Sequence, residues 1–255
     1  VTGVQTCALP IWNTGVELEV RSNNIKTKDF SWTTAFNLSH NKNKILKLAD
    51  LPWFVDGRYV RKEGYPFNTI YLREYAGVDP ETGSALYYDN QQDENGNYTK
   101  NKVPDPGQAS PIPLKDITPT ISGGFMNTFN YKFIDLSFNL SYSFGGYSYD
   151  NASYILQDDG YSVISNKSTE QRRRWQKPGD ITDVPRFVYG NKKGGNYNSS
   201  RAIHSTDHIR LKSLILGLNA PKAWLQKLGI GNARIYFSGT NLLTWAAYGQ
   251  YDPEM

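Results

Sequence analysis

Few side chains in this 255-residue chain are spaced for covalent chemistry. Glu17 and Glu19 form a close carboxylate pair, and two positions apart on an extended segment they share one face, as the two carboxyl groups of a glycosidase must. No further acid, base or nucleophile joins them, and a hydrophilic sheet face explains them better. Asp89, Asp93, Asn95 and Asn97 supply hard oxygens at a spacing faintly like a calcium loop. The same stretch places Asn95-Gly96 between Tyr87-Tyr88 and Tyr98-Thr99, which is a strong hairpin-turn signal, and the turn is the preferred reading. His40, His204 and His208 lack partners at ligand spacing and read as surface or interfacial residues. Gly123-Gly124 and Gly194-Gly195 have no phosphate-loop context. Arg172-Arg173-Arg174 is a dense basic run that reads as a solvated loop, and a net charge of +4 is too diffuse to imply nucleic acid. The expectation is a protein with no catalytic residues, no metal and no cofactor.

Residues 1–11, VTGVQTCALPI, resemble an in-frame translation of a common sequencing adapter. The run lacks the basic n-region and long apolar h-region of a signal peptide and is set aside as non-native. With it goes Cys7, the single cysteine of the chain, so the remaining residues 12–255 offer no disulfide or thiolate.

The element that says most about fold is 134–144, IDLSFNLSYSF. Ile134, Leu136, Phe138, Leu140, Tyr142 and Phe144 alternate with small or polar residues, so a strand here has one apolar and one wet face. At ~3.3 Å per residue its eleven residues span ~36 Å, and at a ~45° tilt they rise ~26 Å, the height of the apolar band of an outer-membrane barrel. Taken alone, the segment fits a soluble β-sandwich equally well. Hydrophobic residues make up 38% and no run approaches the ~20 apolar residues of a spanning helix, leaving a soluble protein or a barrel. Aromatics at 14%, with 18 Tyr and 6 Trp, suit interfacial girdles or a sugar-binding surface.

Other long strands are expected at 13–21, where Val16, Leu18 and Val20 alternate with charge, and at 30–40, where Phe30, Trp32, Phe36 and Leu38 share a face. Further strands are expected at 121–131, 207–219 and 232–245. Links within pairs are short, whereas 41–118 and 145–206 are long. Short turns on one rim and long loops on the other is the arrangement of an outer-membrane meander, and loops of that length are abnormal in a compact soluble domain. The fold class is therefore all-β: an antiparallel transmembrane β-barrel, represented by about six long strands with long extracellular loops. In 207–219, Arg210 and Lys212 share parity with Leu214, Leu216 and Leu218. They face outward, toward lipid headgroups at the rim, unless a bulge near Ser213 switches the phase. The link 221–228 is expected to form one or two helical turns.

Several ordered motifs carry a family resemblance. Asp207 to Pro221, DHIRLKSLILGLNAP, is similar to the "yiRLKnltLGYnLP" segment of SusC/RagA-type TonB-linked outer-membrane proteins, with Leu218 and Ala220 departing from it. Ile235 to Thr244 resembles their penultimate strand, and Tyr251-Asp252-Pro253-Glu254 the "DPE" of their last outer loop. Gly64-Tyr65-Pro66 with Ala76 to Gly83, Pro119 to Phe144, and Trp175 to Asp180 with Val184-Pro185-Arg186-Phe187 resemble further motifs of the family. By the family's layout the chain is expected to be about the last third of a ~22-stranded barrel, without the plug, N-terminal domain and final strand.

The resemblance implies TonB-dependent import of large nutrients, oligosaccharides or peptides, across the outer membrane beneath a SusD-like surface lipoprotein. TonB would act through the plug, the strands would face outer-membrane lipid, and this chain would supply wall and outer loops. Ser137, Asn139, Ser141, Thr33 and Asn37 would face the lumen, where packing on a plug is favoured over a solute path. Trp53, Tyr147, Tyr149 and Trp175 are the ligand-binding candidates, although loop packing is the simpler reading for any one of them. The rival readings are a siderophore or cobalamin receptor of the wider TonB-dependent group and a soluble β-sandwich carbohydrate-binding module.

Overall fold

The computed structural model describes residues 10–48, 51–191 and 197–254. Cys7 and Gly194-Gly195 lie outside them. Two long strands open the fold, β1 (Ile11–Lys26) and β2 (Phe30–Ile45). Seven short ones follow: β3 (Trp53–Asp56), β4 (Tyr59–Lys62), β5 (Thr69–Leu72), β6 (Tyr75–Val78), β7 (Ala85–Tyr88), β8 (Lys102–Val103) and β9 (Ile112–Asp116). Next come the long hairpin β10 (Ile121–Tyr131) and β11 (Ile134–Phe144), then β12 (Tyr147–Tyr149), α1 (Asn151–Leu156) and β13 (Ile203–Ser205). The chain closes with β14 (His208–Asn219), α2 (Lys222–Leu228) and β15 (Arg234–Ala246). Among the described residues no helix is long and apolar enough to cross a membrane, which says nothing of strands.

The chain divides into two compact units. One holds 12–43, 118–146 and the residues from 205 onward, and contains the six long strands in the order β1-β2-β10-β11-β14-β15. Register fixes its two faces. Leu136 pairs with Phe129 and Leu216, and Phe129 with Trp32, so one face is a continuous apolar sheet. Its rings stack across strands: Trp32 on Phe129 at 5.6 Å, Phe129 on Phe138 at 6.3 Å, Phe36 on Tyr142 at 6.2 Å. Gly123 lies under Tyr142, where a Cβ would sit 2.4 Å from the phenol oxygen, and that hydroxyl donates to the Asn37 carbonyl (2.7 Å). Glycine thus lets the ring lie flat on the sheet.

Asn127 and Thr34, paired across β10 and β2, interrupt the apolar face. Asn127 is 2% exposed, and its Oδ1 accepts hydrogen bonds from Trp32 Nε1 (2.9 Å) and Thr34 Oγ1 (2.7 Å). The apolar face is otherwise left open: Ile235 is 77% and Phe237 61% exposed. A run of apolar side chains this exposed is an aggregation hazard in water and carries no penalty in hydrocarbon.

At one rim the turns are tight, with Thr27 N–H donating to the Phe30 carbonyl and Lys132 at φ 52° donating to the Asp29 carbonyl. α2 ends as expected, at Gly229 in the left-handed conformation (φ 67°). At the other rim β2 ends and β10 begins, and β11 ends and β14 begins, so both long connections leave the sheet on one side.

The second unit comprises 44–117 and 147–204 with Pro10 and Ile11. It contains a four-stranded sheet (β3-β4-β5-β9), a three-stranded sheet (β6-β7-β8) and the β12-β13 pair. Val60 and Ile70 are fully buried in the first, and Ala85, Tyr87 and Ala109 form a small core with Tyr75 and Val103. These connections are therefore ordered minidomains rather than featureless loops.

Candidate functional site

The polar face of the long sheet is assembled by the same register. Ser137 pairs with Thr128 and Thr128 with Thr33; Ser141 pairs with Gly124 and Gly124 with Asn37; Asn139 sits opposite Met126. The residues expected on the wet face thus share one face, although Met126 and Ile215 join them there. Glu19 is held by Arg21 Nε (2.7 Å) on exposed β1, an ordinary surface pair rather than a catalytic one.

β14 carries the feature whose phase the sequence left open. Register shifts at Lys212: Ser213 pairs with Asn139, but Leu211 pairs with Leu140 and Arg210 with Ser141. Because strand side chains alternate, this bulge turns Arg210 and His208 onto the polar face and brings Leu211 and Ile209 onto the apolar one. The outward, headgroup-facing placement of Arg210 and Lys212 is therefore not realised: Arg210 is 5% exposed and ion-pairs with Asp252, and Lys212 reaches Glu254 (2.5 Å). His208, expected at the surface or at an interface, is 6% exposed, its Nδ1 2.8 Å from the Thr206 carbonyl.

The four aromatic candidates lie in the second unit in separate settings. Trp53, at the start of β3 and 45% exposed, lines an open groove of about 450 Å³. Tyr71 of β5 stands 6.0 Å away, tilted by 50°, and Tyr98, Gln91 and Gln92 complete one wall. Gln91 is positioned by donating Nε2 to Ser110 Oγ (3.2 Å) and the Gln108 carbonyl (3.4 Å). Lys62 is the only ionic group among the lining residues. Two tilted rings beside fixed amides can hold the apolar face of a sugar ring, or a peptide side chain with its backbone amides.

Trp175 is occupied structurally. Its Nε1 donates to the Pro80 carbonyl (2.8 Å) and its ring lies against Gly83. Tyr149 is clamped: the Arg58 guanidinium stands 4.2 Å over its ring, its hydroxyl donates to Asn198 Oδ1 (2.7 Å), and burial pushes the phenol up to about 12. Tyr147 has Lys115 4.9 Å over its ring. Of the four, Trp53 alone stands in a described groove, and Tyr71, Tyr98 and Gln91 had no signal in the sequence to join them to it.

A buried knot holds this unit together. Asp159, fully buried at φ 51°, takes both Arg201 nitrogens and Gln171 Nε2 (2.9 Å). Burial raises the Tyr75 and Tyr87 phenols beside it, so both stay neutral and packed. Burial likewise lowers His204 below its ordinary value, favouring the neutral ring. The Asp93 stretch is the turn expected of it: the carboxylate accepts the Asn95 and Asn97 N–H groups (2.9 and 2.8 Å), with Gly96 at φ 81°. No trio of metal-ligating side chains occurs among the described residues.

A long-stranded antiparallel sheet with one ring-stacked apolar face, one polar face and large connections on one rim defines the wall of an outer-membrane β-barrel. No family model matches the chain. It is 34% identical to TonB-dependent receptor P3 of Formosa agariphila, over 95% of this chain and 25% of that protein. It is 26% identical to TonB-dependent receptor SusC of Bacteroides thetaiotaomicron, over 95% of this chain and 24% of that one. Among solved structures, the RagAB peptide transporter superposes with a TM-score of 0.83 at 29% identity, covering 96% of this chain and 27% of that one. The chain thus spans about a quarter of the length of the curated relatives it matches. Over that span it resembles the barrel portion of the SusC/RagA-type TonB-dependent receptors.

Proposed function

We propose that the protein imports large nutrients, oligosaccharides or peptides, across the outer membrane in a TonB-dependent cycle, working beneath a SusD-like surface lipoprotein. In this reading the six long strands are wall, the apolar face meets lipid, the polar face meets the lumen, and the second unit presents solute-contacting surface outside. The observation that carries it is the register of β2, β10, β11 and β14, which keeps one face apolar and the other polar across four strands. The likeness to SusC and to the RagAB peptide transporter supports the same reading. Trp53 is the proposed ligand contact, since its ring is open to the groove, whereas Trp175 and Tyr149 already have partners.

The test is uptake of fluorescently labelled oligosaccharides and peptides by cells carrying the full-length receptor, with and without a protonophore. Energy-dependent uptake of either class that disappears on deleting the receptor is expected. Uptake that persists in the deletion strain would remove the proposal. In the same receptor Trp53→Ala is expected to weaken solute binding about tenfold, ~1.4 kcal/mol, and unchanged affinity would take Trp53 out of the site.

A further inference from the structure

We infer that the bulge in β14 exists to tie down the loop after β15, making that loop a strap held against the polar wall. Sequence parity alone would send Arg210 to the hydrocarbon side together with Leu214, Leu216 and Leu218. The register shift at Lys212 reverses this, placing Arg210 opposite Ser141 on β11 and Thr244 on β15. There the cations meet the acidic groups of the loop. Arg210 pairs with Asp252 and, through Nη1, with Glu254 (3.1 Å), while Lys212 Nζ reaches Glu254 at 2.5 Å and His208 Nε2 lies 3.5 Å from it. Asp252 also accepts the Glu254 backbone N–H (3.0 Å), which sets both carboxylates toward β14.

Beside these contacts the loop leaves open space: Tyr251, Asp252 and Pro253 border an open hollow of about 680 Å³ that His208, Arg210 and Thr244 also line. Asp207 closes the rim, its Oδ1 accepting the Gly145 N–H (2.6 Å) and its carbonyl the Ala247 N–H (2.9 Å). A segment held at Ala247 by backbone and at Asp252 and Glu254 by charge, with open space beside it, can lift when the charged contacts let go. The strap would then set how much of the polar face near the rim is open to solute. Two stretches that the sequence shows 42 residues apart, Arg210-Leu211-Lys212 and Asp252-Pro253-Glu254, are in this account the two halves of one fastening.

The test uses the full-length receptor with its other cysteines replaced and a reporter, Ser141→Cys, on the polar wall opposite Arg210, where the serine hydroxyl oxygen is buried. Labelling by a bulky maleimide is expected to run at least tenfold faster in the Asp252→Asn/Glu254→Gln background than in the unaltered loop. The charge-conserving pair Asp252→Glu/Glu254→Asp is expected to keep the rate near the starting value. Equal labelling with and without the carboxylates, or a charge-conserving variant as fast as the neutral double variant, would overturn the strap. Heat-modifiable migration of each variant on gels reports barrel assembly, so a variant that fails to assemble is replaced by Asp252→Asn alone, for which fast labelling supports and unchanged labelling refutes the inference.

Discussion

Trp175 and Gly83 are packed ring against backbone: a Cβ built on Gly83 would stand 2.4 Å from Cε3 of the indole. Gly83 is also at φ 69°, and the indole N–H is spent on the Pro80 carbonyl. Gly83→Ala therefore meets both a steric clash and a left-handed backbone penalty, and should destabilise the Pro80–Trp175 contact by about 1–3 kcal/mol. Hydrogen exchange at 79–83 and 175–186 in the full-length receptor should quicken together, while β10 and β11 stay protected.

Asp159→Asn should be among the most damaging single changes in the second unit. It leaves Arg201, almost wholly buried, without its counter-charge, and removal of one partner of a buried pair costs about 3–5 kcal/mol. The expected readout is a protease-sensitive segment 147–204 on an otherwise assembled barrel. Resistance equal to that of the unaltered protein would show the knot to be dispensable.

The strand limits show what the sequence could reveal. β10 and β11 fall where the alternation places them, because apolar side chains run to both rims. β1 and β2 extend further than read, to Lys26 and Ile45, through the polar stretches 22–24 and 41–44 where the alternation lapses. β1 also starts at Ile11, within the run set aside as adapter-derived. The phase of Arg210 was legible only as a choice, because period-two parity cannot register a bulge until the pairing strand is known. The Trp53 groove was not legible at all: Trp53, Tyr71, Gln91 and Tyr98 come from distant stretches joined only by tertiary folding.

The strap should resist mild acid. The Arg210 hydrogen bond holds Asp252 below the ordinary carboxylate range, and the Lys212 hydrogen bond does the same for Glu254. For groups with a depressed folded pKa, the stabilisation is present above the unfolded value and lost as pH falls through the folded one. His208, Lys212, Arg210 and Asp207 also face these carboxylates. Labelling of Ser141→Cys, assayed after brief exposure to each pH with a reagent active in acid, should stay slow to below the ordinary carboxylate range. Release near neutrality would contradict fastening by these two carboxylates.

Arginine substitution should discriminate the two faces of β11. Leu136→Arg puts a charge on the apolar side, at about 2–4 kcal/mol near the bilayer midplane, whereas Ser137→Arg points to the polar side. The yield of heat-modifiable, assembled receptor should fall sharply for the first and little for the second.

The most direct check is a nitroxide scan of residues 134–144 in the full-length receptor reconstituted in lipid. Collision with oxygen, which concentrates in hydrocarbon, should peak at Ile134, Leu136, Phe138, Leu140 and Tyr142 and dip at Asp135, Ser137, Asn139, Ser141 and Ser143. A flat profile, or peaks on the serine positions, would contradict a strand with lipid on one side and lumen on the other.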